Sequence, residues 1–107
     1  MFVPAVDVYE RESEIVVFVD LPGVAKEEVH LSWKSNVLTV AGKKRPQQQS
    51  GTHYLRVERS YGAFRRDIEI NVSVDHMRAR ATLEDGLMRI HLPKVAERTG
   101  PSTIPVE

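Results

Sequence analysis

Residues 78–94 read RARATLEDGLMRIHLPK, and this stretch decides the fold. Asp85 and Gly86 sit between two alternating segments, a strong short-range signal for a two-residue hairpin loop. Both loop positions take positive φ, which Asp and Gly accept readily. With that loop in place, Leu83 faces Met88, Ala81 faces Ile90 and Ala79 faces Leu92, so the apolar residues share one face. Arg80, Thr82 and Glu84 take the other face, opposite His91, Arg89 and Leu87. A slip of one residue would turn every side chain over, so the pattern fixes the register. Pro93, lacking an N–H, ends the second strand. The hairpin predicts one part of an antiparallel sandwich.

A second hairpin of the same design lies about fifty residues upstream. Taking Ser35 and Asn36 as its loop, Trp33 faces Leu38 and Leu31 faces Val40, while His30, Ser32 and Thr39 point away. Asn tolerates positive φ almost as well as Gly. Two such hairpins predict one in each sheet of a two-sheet sandwich. Residues 15–20, IVVFVD, are β-branched and aromatic and read as a strand. Ile15, Val17 and Val19 would point inward, leaving Val16 and Phe18 outward. Residues 2–9 alternate loosely, with Pro4 at an edge, and residues 10–14 form a charged turn. The LPGV break at 21–24 leads to one short turn at 25–28. No long helix is predicted.

Beyond the second hairpin, residues 43–52 read KKRPQQQSGT and form a polar loop with nothing to pack. Residues 53–58 read as a strand through Tyr54, Leu55 and Val57. After Tyr61 and Gly62, residues 63–70 form a longer one, with Phe64, Ile68 and Ile70 on the same face as Arg66. The terminal TGPSTIPVE is too short, and too rich in Pro and Ser, for a core strand. Pro105 nevertheless holds the backbone extended between Ile104 and Val106, so both aliphatic side chains project the same way.

Composition limits the functional classes. The 107 residues carry 15 Lys+Arg and 15 Asp+Glu, a net charge of zero. This argues against a broad electrostatic footprint for nucleic acid or an anionic membrane. Near-zero charge also removes one defence against self-association. No cysteine is present, so there are no disulfides and no thiolate chemistry. The longest apolar run, residues 15–19, is too short to span a bilayer, and Met1 opens no signal peptide. A soluble cytoplasmic chain is expected. His30, His53, His76 and His91 lack metal-ligand spacing, and no nucleophile motif or phosphate loop occurs. No metal, cofactor or enzymatic activity is therefore expected. The Asn71-Val72-Ser73 sequon and the basic run 43–45 are read as incidental surface features.

These segments resemble the α-crystallin domain of the small heat-shock proteins. The resemblance rests on PAVDVYE at 4–10, DLPGV at 20–24 and NVLTVAGKK at 36–44. It continues through VERSYGAFRR at 57–66, ATLEDGLMRIHLPK at 81–94 and IPV at 104–106. Gly86-Leu87-Met88 stands where the family usually shows GVL, a volume-conserving change. Val106 stands where the tail motif usually ends in Ile. Family members also carry an apolar N-terminal arm, whereas this chain opens almost at its first strand; a truncated or unusually short member is expected.

What the resemblance implies is an all-β, immunoglobulin-like antiparallel β-sandwich over residues 1–94, with a flexible tail over 95–107. It implies an ATP-independent holdase that binds partly unfolded client proteins. It further implies a homodimer in which the strand of His53, Tyr54, Leu55, Arg56, Val57 and Glu58 is exchanged between chains, residues 43–60 supplying loop and strand. Higher oligomers would form when Ile104, Pro105 and Val106 fill a neighbour's groove, lined by Val29, Leu31, Trp33, Ala79, Ala81 and Leu83. Arg66 is read two ways: an arginine snorkelling from the core edge, or an interface residue paired with a carboxylate across the dimer. The alternative functions are a p23-type co-chaperone domain and an immunoglobulin-like adhesion module. The IPV tail and the loop before an exchangeable strand speak against the first. The absence of cysteine and of a secretion signal weakens the second.

Overall fold

The computed structural model describes residues 2–46 and 50–95. Seven strands form two antiparallel sheets. Strands β1 (Val6–Glu10), β2 (Glu14–Asp20), β6 (Arg80–Glu84) and β7 (Leu87–Pro93) make the first, in the order β1-β2-β7-β6. Strands β3 (Val29–Lys34), β4 (Val37–Lys44) and β5 (Gly62–Glu69) make the second, in the order β3-β4-β5. The two hairpins fall one in each sheet, as their sequences predict.

Their registers also agree with the sequence. Leu83 pairs with Met88 and Ala81 with Ile90; Trp33 pairs with Leu38 and Leu31 with Val40. Ala79 lies one residue outside the ladder, closing a 3-10 turn at His76–Arg78 that the sequence did not announce. Both loops adopt positive φ throughout, at Ser35 (50°) and Asn36 (65°), and at Asp85 (52°) and Gly86 (76°). That twist matches the right-handed twist of the flanking strands.

The core lies between the sheets. Ile15, Val17 and Val19 of β2 and Met88, Ile90 and Leu92 of β7 meet Leu38 and Val40 of β4 and Phe64 and Ile68 of β5. β2 and β7 are interior strands, so each is hydrogen-bonded along both edges. Val16 points away from this core as expected, yet it is only 1% exposed. Its register partners Tyr9 and His91 flank it on the outer face, while Tyr9 packs edge-on against Phe18. The sequence shows Val16's direction, but not that its neighbours are large enough to cover it.

Two further expectations need correction. Lys44 belongs to the last rung of β4, paired with Gly62, and is buried, so the polar loop begins after it. Residues 53–58 join no β-ladder among the described residues. Leu55 is 98% exposed, and Val57 and Tyr54 are also exposed. An alternating strand needs a partner edge, and among the described residues this segment pairs with none of the sheet edges. Residues 96–107, with the tail residues Ile104, Pro105 and Val106, lie outside the described residues.

Two backbone crossings explain the sequence motifs. The Leu21 N–H donates to the Gly86 carbonyl at 2.8 Å, tying the DLPG turn to the β6–β7 loop. Gly86 serves both demands of that site: its φ is positive, and a Cβ there would lie 3.0 Å from Pro22 Cα. At Gly42 a Cβ would overlap the Glu28 carbonyl oxygen and come within 2.7 Å of Phe64 Cζ. Neither the backbone of the 3-10 turn at Lys26–Glu28 nor a buried ring can withdraw cheaply. Gly42→Ala is therefore expected to destabilise the fold by about 3 kcal/mol through overpacking. The check is urea unfolding, where the midpoint should fall with an unchanged slope. A midpoint equal to that of the parent would contradict the crossing geometry.

Candidate functional site: an apolar groove between two edge strands

β3 and β6 are edge strands of different sheets, and they border the same open side of the sandwich. The inward side chains of β3 at this border are Val29, Leu31 and Trp33. Across from them stand Ala81 and Leu83 of β6, preceded by Ala79. Alanine side chains do not reach across to Leu31 and Trp33, and a hollow remains. Two adjoining cavities occupy it, of about 310 and 590 Å³, both bordered by Leu31 and Ala81. Trp33 and Ala79 line the smaller, and Val29 and Leu83 the larger. Core residues Leu38, Ile90 and Leu92 also line the smaller cavity, and Met88 the larger. All six groove residues named from sequence thus come together in one continuous feature.

Leu31 is 37% exposed although its direction is inward, so the groove presents apolar surface to solvent where a closed sandwich would bury it. The His76 ring stacks on Trp33, with centroids 5.9 Å apart and planes 12° from parallel. From sequence His76 reads as an incidental surface histidine. The 3-10 turn brings it to the end of the groove, and no local pattern signals that contact.

The other residues named for the site lie elsewhere. Arg66 is half-buried on the inner face of β5, where Nη1 donates to the Pro4 carbonyl at 3.3 Å. Within the chain its polar partner is therefore a main-chain oxygen. Residues 53–58 stand clear of the groove, in the exposed segment between β4 and β5. No group of three or more metal-ligating side chains occurs among the described residues.

One clear electrostatic device sits outside the sandwich, on the solvent face of β4 and β5. Thr39 Oγ1 donates to Asp67 Oδ1 at 2.8 Å, and Arg65 Nε donates to the same oxygen at 3.2 Å. These bonds favour the carboxylate and hold Asp67 below the usual carboxylate range.

The Hsp20/alpha crystallin family model matches residues 7–107. The chain belongs to that family, which sets aside the p23-type and adhesion-module alternatives. It is 39% identical over 92 residues to small heat shock protein C4 of Rickettsia felis, covering 85% of this chain and 56% of that one. It is 36% identical to heat shock protein 16 of Schizosaccharomyces pombe, covering 86% of this chain and 66% of that one. The chain thus spans between about half and two thirds of these relatives. Among solved structures, heat shock protein 16.0 of S. pombe superposes with a TM-score of 0.84 at 31% identity, over 100% of both chains. A small heat-shock protein of Xylella fastidiosa, described as having a distinct high order structure, gives 0.85 at 32% identity over 99% and 97%. No helix among the described residues is long and apolar enough to cross a membrane.

Because the Asp67 pKa is depressed, the stabilisation it brings is present above the unfolded-state pKa and is lost as pH falls through the folded value. Thr39→Val removes the larger of the two bonds and should raise the Asp67 pKa towards the ordinary range. Carboxyl carbon shifts followed by NMR titration measure this directly. An unmoved titration would show that Arg65 alone sets the value.

Proposed function

We propose that the chain is an ATP-independent holdase whose apolar groove is covered by exchangeable segments, the tail of a neighbouring chain at rest and unfolded clients under stress. The observation that carries this reading is the groove itself. A hollow lined by Leu31, Trp33, Ala81 and Leu83 and open to solvent is complementary to a short extended chain bearing paired aliphatic side chains. Ile104 and Val106, separated by Pro105, are such a pair, and so are many segments of a partly unfolded protein. A protein that binds unfolded chains passively needs exposed apolar edges and no nucleotide site, and the sequence contains no phosphate loop.

Energetics make the tail a weak ligand in isolation. Burying each aliphatic side chain contributes at most about 1.5–3 kcal/mol. Ordering the backbone takes back roughly 1–2 kcal/mol for each residue fixed. A single tail in a single groove should therefore exchange readily. Several tails engaged in one assembly hold far better, because each bound contact raises the effective concentration of the next. Warming or a competing client then releases the groove. In the same reading, residues 53–58 cross to a second chain and extend a sheet edge there, giving the homodimer from which larger assemblies grow. Arg66, at the inner face of β5, would then lie near that contact. The domain division at residues 94 and 95 and a cytoplasmic setting belong to the same proposal.

The test is Ile104→Ala combined with Val106→Ala. Native mass across a dilution series should show loss of assemblies beyond the dimer, with the dimer still folded and protection of a thermally unfolding reporter enzyme altered. Trp33, the chain's one tryptophan, lines the groove, so its emission should move to longer wavelength when the tail no longer covers it. Identical masses and identical Trp33 emission in parent and variant would remove the tail from the account.

A further inference from the structure

We propose that a second cavity, at the DLPG turn, is a binding site for a small organic anion with an acid head and an apolar body. The cavity has a volume of about 360 Å³ and shares no residue with the groove. Phe2, Leu21, Pro22 and Val24 give it apolar walls, while Lys44 and Arg59 supply cationic side chains.

The two cations converge. A Cβ placed on Gly23 would lie 3.2 Å from Arg59 Nη2, 3.2 Å from Lys44 Cε and 3.6 Å from Lys44 Nζ. Both cations also lie against the Tyr61 ring, each 5.6 Å from its centroid. Arg59 Nη1 further donates to the Tyr61 hydroxyl at 3.2 Å. Lys44 is only 7% exposed, yet none of the ion pairs among the described residues includes Lys44 or Arg59. No buried side-chain nitrogen among the described residues lacks a partner, so it is the Lys44 stem that is buried while its ammonium reaches solvent at the cavity. There it faces a second cation with no carboxylate paired to either, and like charges so placed repel each other. An anion between the two heads reverses that balance through charge-assisted hydrogen bonds.

The walls narrow the ligand class. Asp20 also borders the cavity and is exposed, so the ionised groups there are two positive and one negative. A single negative head suits this surplus. The apolar walls beyond it favour a ligand with a hydrocarbon stem over a fully hydrated ion such as phosphate. The inference is independent of the chaperone reading.

The experiment is an amide NMR titration of the chain with hexanoate, hexanol and inorganic phosphate at constant ionic strength. Hexanoate should produce saturable shifts at Gly23, Lys44, Arg59 and Ser60 while Leu31 and Trp33 stay fixed. Hexanol, lacking the head, and phosphate, lacking the stem, should each bind at least about tenfold more weakly. Lys44→Met and Arg59→Gln should each weaken hexanoate by about tenfold, the loss of one charged hydrogen bond. If Lys44→Met fails to fold, Arg59→Gln, on an exposed side chain, decides alone. Absence of saturation, equal binding of hexanoate and hexanol, equal binding of hexanoate and phosphate, or undiminished binding by the folded variants would each overturn the proposal.

Discussion

A strand at the edge of a sheet leaves half of its backbone groups without a ladder partner, and a sandwich that does not close into a barrel keeps four such edges. Here those edges are β1 and β6 of one sheet and β3 and β5 of the other. They are not treated alike. The β5 edge receives Phe2, whose N–H donates to the Ala63 carbonyl at 3.0 Å and whose ring packs on Phe64. Among the described residues β3 and β6 keep their edges, and the short side chains of Ala79 and Ala81 prevent the two sheets from meeting between them. β1 keeps its outer edge as well. The central strands carry most of the buried core, and the edges left uncovered among the described residues are the surfaces on which the proposed function rests.

This division separates the residues that build the domain from those available for contact. β2 and β7 carry the buried aliphatic side chains and lie inside their sheet. Gly42 and Gly86 belong to the same building set, since each lets one backbone segment cross another without a Cβ between them. Leu31, Trp33, Leu55 and Val57 present apolar surface without being part of the buried core. An exposed Leu55 contributes nothing to the stability of the single chain, which is consistent with a role in contact with another.

Much of the fold was legible because it is written in local alternation. The two hairpins could be registered from their loop residues, and the same registers placed Leu31, Trp33, Ala81 and Leu83 on inward faces. The pairing of β3 with β6 across a groove was not legible from alternation, since it joins edges of different sheets; it came from the family resemblance. His76 reached the groove through a 3-10 turn without sequence signature. Lys44 and Arg59 were hidden for a different reason. They flank a long polar segment and look solvated in one dimension, and only the return of the chain at Tyr61 brings them together. Residues 53–58 have the pattern of a strand but join no sheet edge among the described residues.

The central claim, that the open edges exist to be covered by other chains, is tested most directly at residues 53–58. Amide hydrogen exchange, resolved by residue, reports whether their N–H groups are bonded. The account predicts that in concentrated protein the alternate amides of this segment, together with those on the outer edge of β1, exchange much more slowly than in an unstructured peptide of the same sequence. That protection should disappear on dilution to the monomer, while β2 and β7 remain protected. Exchange of residues 53–58 at the peptide rate in the fully assembled protein would contradict it.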